Sequence, residues 1–217
     1  VQYTVIGTTL NIVMTVLGAY PLSRRNLVGR RQITLLFTFT MYFSGGMIPA
    51  FLVVKMLGLY DTFWSLIIPG AVSTYNLIVM RSFFEASIPE ELHDAASIDG
   101  CDDYQYLLKI LLPLSKPVLA VMVLFYGTGH WNAFFNAIIY LRDADAYPLQ
   151  VVLRNILLKN VLTENMITEF GGAANYSHTA EIIKYGLIIV SSIPMLIVYP
   201  FVQKHFVKGV MIGSIKG

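Results

Sequence analysis

The stretch Ser87–Pro113, SIPEELHDAASIDGCDDYQYLLKILLP, is polar and acid-rich, yet it interrupts a chain dominated by long apolar runs. Its spacing predicts two short helices. Ser87 is placed to cap the first, with Glu90 three residues on to close a capping box. Pro89 fits a first turn, where its missing N–H has no helical partner. Ile88, Leu92, Ala95 and Ala96 then fall along one face. Gly100 supplies a left-handed stop. Asp102 can cap a second helix toward Gln105, with Tyr104, Leu107, Leu108, Leu111 and Leu112 on one side, until Pro113 and Pro117 end it. The first helix is small-faced and acidic. Glu91, Asp94 and Asp99 would face an anionic inner leaflet unfavourably, because a helix lying on a bilayer presents Lys and Arg there. That pattern favours a protein partner with a basic rim, approaching closely over Ala95-Ala96.

The rest of the chain explains where such a helix sits. Of 217 residues, 56% are hydrophobic and only 13% charged, against about a quarter charged in soluble domains. The composition predicts an all-α integral membrane protein in contact with lipid, forming a single domain over residues 1–217. A net charge of +2 gives no electrostatic case for nucleic acid. Cys101 is the sole cysteine, so no internal disulfide forms, and no cluster has metal-ligand spacing.

A bilayer core about 30 Å thick requires roughly 20 apolar helical residues. Five stretches meet this: Tyr3–Leu22, Ile33–Val54, Phe63–Met80, Val118–Leu141 and Ile182–Val202. Pro69-Gly70 predicts a kink in the third. The first begins almost at Val1 without a small-residue cleavage site, which reads as a span rather than a signal peptide. Of the fifteen Lys and Arg, ten fall on one set of connections, among them Arg24, Arg25, Arg30, Arg31, Arg81, Lys109 and Lys116. The opposite side holds Lys55, Arg142, Arg154, Lys159 and Lys184. The richer side is expected in the cytoplasm, which puts residues 84–117 and the tail 203–217 inside and residues 142–181 outside.

The spans lack Asp, Glu and Arg, and Lys184 lies close enough to a helix end to snorkel. A charge at a helix centre costs about 2.5–3.5 kcal/mol, so proteins that keep one usually use it. Transport driven by an ion gradient is therefore disfavoured, and His130 is expected to pack rather than relay protons. Catalysis has no footing either. There is no HExxH, no Ser/His/Asp cluster and no paired intramembrane carboxylate. A G-x-x-x-x-G-K-[ST] phosphate loop is absent too.

Asp94-Ala95-Ala96, Gly100 and Ile110-Leu111-Leu112-Pro113 resemble the "EAA" loop of the membrane subunits of binding-protein-dependent ABC importers, with Asp94 in place of the usual Glu. LGLYDTFWSLIIPG, RSFFEASIPEELHDAA, WNAFFNAIIYL and KGVMIGSIKG are similar to the carbohydrate branch of that family, of the maltose-type second permease and polysaccharide-oligomer kind. The resemblance implies a type I importer transmembrane domain, usually of six spans, so that five here imply a first span missing from this chain. It also implies a non-catalytic permease of a bacterial cytoplasmic (inner) membrane. Its partners would be a second permease, two ATPase subunits that bind ATP and Mg, and an extracytoplasmic solute-binding protein.

By the same resemblance, Glu91, Asp94, Ala95, Ala96, Asp99, Gly100, Ile110, Leu112 and Pro113 form the coupling loop that docks an ATPase subunit. The tail Gly209–Gly217, with Gly213 and Lys216, would reach between the ATPase subunits. The external segment 142–181 would meet the binding protein. Oligosaccharides present hydroxyls and apolar C–H faces. A path for them would draw on Tyr42, Tyr75, Asn76, Tyr126, Trp131, Asn132 and Asn136, each of which has an alternative role in holding helices together or anchoring them at an interface. An importer of peptides or amino acids remains the rival reading.

Overall fold

A computed structural model describes residues 1–158, 182, 184–200 and 203. The tail Gly209–Gly217 and most of the external segment lie outside the described residues. The described elements are helical. They begin with α1 (Gln2–Ser23), α2 (Arg30–Tyr42) and α3 (Met47–Met56), continue through two short turns (Phe63–Leu66, Ile68–Gly70), and reach α4 (Thr74–Ser87) and α5 (Glu90–Ile98). Then follow α6 (Asp103–Tyr106), a wide turn (Leu107–Leu111), α7 (Leu112–Leu114), α8 (Lys116–Trp131) and α9 (Phe135–Tyr140). Two further helices are α10 (Leu149–Leu158) and α11 (Lys184–Pro200).

The centre is α1, packed on α4 and α8. Its buried face is small or polar over Gly7, Thr8, Asn11 and Thr15 and largely apolar over Val16, Ala19, Tyr20 and Leu22, while Val5, Val13 and Leu17 face outward. The first part inverts a soluble helix. In lipid there is no hydrophobic drive between helices, so association rests on close backbone approach and hydrogen bonds. The tightest approach is at Gly7, where a Cβ would come within 2.6 Å of His130 Nε2.

Among the described residues, only α1 is by itself long and apolar enough to cross a membrane. The expectation of continuous spans is corrected elsewhere. Ile33–Val54 is broken between α2 and α3, whose axes differ by 115°, because Gly46 adopts φ 84°, ψ 179°, a conformation that only glycine accepts readily. The third stretch bends by 50° at the expected Pro69-Gly70 and continues as α4, which Ser73 caps by accepting the Asn76 N–H. Val118–Leu141 stops at Trp131 and resumes as α9, after a run (Gly127, Thr128, Gly129, Asn132) of poor helix formers. The fifth stretch is described over α11.

One core runs from Val16, Ala19 and Tyr20 of α1 through Leu77, Met80 and Phe84 of α4 and Met122 of α8 to Ala96, Tyr106, Leu107 and Leu111 of the polar arm. A smaller one, Ala137, Leu141 and Val151, caps the opposite end with Tyr3 and Leu66 against it.

Candidate functional site

The arm α5–α7 gathers at the end of the bundle where α1 and α4 finish and α8 begins. Ser87 does not cap α5: it completes α4, and Pro89 precedes α5 without a side-chain cap. Glu90 instead pairs with Arg25 at 3.1 Å. Gly100 has φ +79°, the left-handed stop expected. Asp102 Oδ1 accepts the Gln105 N–H at 2.6 Å, as its spacing predicts.

Ala95 and Ala96 part company. Ala96 is buried in the chain's own core, whereas Ala95 is exposed. Of the two residues expected to form a close-packed docking face, only Ala95 is exposed, because the step of about 100° between successive helical residues turns Ala96 onto the chain's own core. The outer face carries Glu91, Asp94, Ala95 and Ile98, at spacings i, i+3, i+4 and i+7, with Ile98 87% exposed. Asp99 and Gly100 are exposed at its end. Ile98 was not among the expected residues, although its spacing from Glu91 was available to show it.

The second helix is also phased differently. Tyr106, Leu107 and Leu111 are buried, and Tyr104 and Leu108 exposed. A single turn of wider, five-residue hydrogen bonding causes this, with the Leu112 N–H donating to Leu107 O. The residue inserted there shifts the apolar face, and Pro113, next in line, has no N–H to restore the usual register. Ile110 and Leu112 pack partly buried against the core.

At the inner edge of α5, His93 Nε2–H donates to Asp103 Oδ1 at 3.0 Å, and the Tyr20 hydroxyl of α1 donates to the same oxygen at 3.2 Å. The His93 ring stands edge-on to Tyr106, with centroids 4.8 Å apart. The His93 hydrogen bond, helped by Tyr20 and Arg24, holds the Asp103 carboxyl below its usual range, against a partial opposing effect of burial. Nearby, Arg30 Nε donates to Leu22 O at 2.9 Å and its guanidinium grips Glu85, which Arg81 also reaches at 2.8 Å. This knot joins the ends of α1, α2 and α4.

Inside the bundle, several path candidates prove to be engaged in packing. Tyr126 is buried, its hydroxyl 2.7 Å from Thr15 Oγ1 and accepting the Ser73 N–H at 3.3 Å. It joins α1, α4 and α8, the alternative role of holding helices together. Trp131 Nε1–H donates to Ser191 O of α11 at 2.9 Å. His130 Nε2–H donates to Asn11 Oδ1 at 2.6 Å, while Asn11 Nδ2 donates to Gly70 O at 2.5 Å. The histidine is thus a packing residue, as expected, and Asn11 satisfies a carbonyl at the Pro69-Gly70 break. Asn76 and Asn132 come together, with Thr128, Gly129 and Phe125, along an open groove of about 640 Å³ between α4 and α8. Tyr42 and Tyr75 are exposed on α2 and α4, and Asn136 on α9, away from that groove's lining.

At the far end the loop before the first short turn is clasped to the end of α9. Asp61 sits at φ 60°, its N–H donating to Tyr140 O at 2.9 Å and its carboxylate accepting the Arg142 N–H at 2.7 Å. The clasp positions α10, whose Val151 and Leu153 are buried and whose Leu149, Val152 and Leu158 are exposed.

Similarity to known proteins extends over almost the whole chain. Residues 11–212 match the family described as binding-protein-dependent transport system inner membrane component. The polygalacturonan/rhamnogalacturonan transport system permease protein YtcP of Bacillus subtilis (strain 168) is 47% identical over 99% of this chain and 74% of its own length. Protein LplC of the same organism is 46% identical over 99% of this chain and 71% of its own. A solved bacterial ABC transporter involved in the import of the acidic polysaccharide alginate superposes with a TM-score of 0.81 at 37% identity, covering 94% of this chain and 71% of that one. The chain is an inner membrane component of the binding-protein-dependent transport family.

Proposed function

We propose that this chain is the permease subunit of an ATP-driven importer of oligosaccharides, with acidic, uronate-bearing oligomers as the substrate class. The observation that carries the reading is the chain-long likeness to a polygalacturonan/rhamnogalacturonan permease and to an alginate importer. The groove between α4 and α8 fits the substrate chemistry. Asn76, Thr128 and Asn132 offer neutral hydrogen-bonding groups beside the Phe125 ring, matching hydroxyls, carboxylates and the apolar faces of pyranose rings.

In this reading the richly basic end is cytoplasmic, and α5 docks an ATPase subunit through Glu91, Asp94, Ala95 and Ile98. Carboxylates meet a basic rim, and Ile98 enters an apolar pocket. ATP and Mg are bound by two such partner subunits, a second permease completes the path, and a solute-binding protein delivers the sugar at the α10 end. An importer of peptides or amino acids draws no support from the named relatives.

The test is ATP hydrolysis by the reconstituted complex with its binding protein, across oligogalacturonides, alginate oligomers, neutral oligosaccharides and peptides. Stimulation by the acidic oligomers is expected. Stimulation by peptides alone would overturn the substrate class.

A further inference from the structure

The coupling helix α5 makes no broad helix-to-helix contact among the described residues. Of its nine residues only Ala96 is buried, and its ion pair from Glu90 to Arg25 ends on a side chain that is 79% exposed. A push on so lightly held an element reaches the bundle only through specific contacts. Two of these run side by side from His93. One is polar: His93 Nε2–H to Asp103 Oδ1 at 3.0 Å, and that oxygen to the Tyr20 hydroxyl at 3.2 Å. The other is aromatic: His93 against Tyr106 at 4.8 Å, and Tyr106 against the Tyr20 ring at 6.4 Å. Both end on Tyr20, which is buried in the last turns of α1, the helix packed on α4 and α8.

We propose that His93, Asp103 and Tyr20 are positioning residues that link the coupling helix to α1, so that ATP-driven displacement of α5 is delivered to the span at the centre of the bundle. This rests on the reading of α5 as the ATPase-docking helix. The geometry has the features such a link needs. One carboxylate oxygen takes donors from two different elements, so α5 and α1 cannot move apart without losing a hydrogen bond. The His93 side chain is only 15% exposed; its Nδ1 lies 3.8 Å from Asp94 Oδ1 and makes no hydrogen bond among the described residues, so the hydrogen bond that orients the ring is the one from Nε2.

The experiment uses the whole reconstituted complex and measures sugar transported per ATP hydrolysed. Tyr20→Phe keeps the ring and removes the hydroxyl. His93→Phe keeps the aromatic edge and removes the donor, and His93→Gln restores an N–H donor of similar reach. The expected result is a fall of about three- to tenfold in transport per ATP for Tyr20→Phe and His93→Phe, the size set by one hydrogen bond of typical net strength, with His93→Gln returned to within about twofold of wild type. ATPase subunits should remain in the purified complex throughout. Unchanged transport per ATP in both Phe variants would overturn the link, as would equal losses in His93→Phe and His93→Gln. Failure of the underlying reading looks different: the wild-type complex itself would retain no ATPase subunit.

Discussion

At the scale of single residues, two glycines carry different kinds of constraint. Gly7 is required by space. A methyl group there meets His130 Nε2 at 2.6 Å, and the ring cannot retreat without releasing Asn11 and, through it, the Gly70 carbonyl. Gly7→Ala is expected to destabilise the bundle by about 1–3 kcal/mol, read as a lowered thermal midpoint of the purified protein. Gly129→Ala, where nothing lies within 4 Å, is the matched control and should leave the midpoint unchanged or slightly raised. Gly100 is required by backbone. Its φ is +79° and a Cβ there meets nothing within 4 Å, so a substitution costs conformation rather than collision. Gly100→Val is expected to weaken the turn by about 1–3 kcal/mol and to lower the ATPase content of the complex. Gly100→Asn should come close to wild type, since Asn tolerates the left-handed region. Equal behaviour of Val and Asn in a pull-down of the complex would refute the turn's role.

At the scale of elements, the neighbours Ala95 and Ala96 separate docking from folding. Ala95→Lys puts a cation on the outer, acidic face of α5 and should leave the thermal midpoint unaltered while abolishing ATPase recruitment. Ala96→Lys drives a charge into the core beside Tyr106 and Leu107, so it should lower the midpoint as well. Paired melting curves and co-purification of ATPase subunits separate the two; identical profiles would contradict the facing of α5. The sequence made much of this arm legible, because Gly100, Asp102 and the run from Ile110 to Pro113 are local signals acting over a few residues. The phase of the second helix was not legible. A wide turn at Leu107–Leu111 inserts one residue without a marker in composition. The span breaks divide the same way. Pro69-Gly70 announces itself, whereas the turn through Gly46 lies within a run apolar enough to read as continuous helix. Tyr126 shows the limit for site residues: its partners Thr15 and Ser73 lie 111 and 53 residues away, and only the packed bundle brings them together.

At the scale of the whole molecule, the described helices form two tied ends joined by α1. The basic end holds the Arg30–Glu85–Arg81 knot and the α5–α7 arm. The opposite end holds the Asp61–Arg142 clasp and α10. Between them α1 runs uninterrupted, joined to α4 and α8 by hydrogen bonds of Asn11, Thr15, Tyr126 and His130. We propose that ATP hydrolysis by partner subunits drives an oligosaccharide past this chain. The most direct test is uptake of a labelled oligogalacturonide by proteoliposomes holding the complete complex, with ATP trapped inside and the binding protein outside. The expected result is accumulation against the gradient that requires both ATP and the binding protein. Accumulation driven by a proton or sodium gradient without ATP would contradict it.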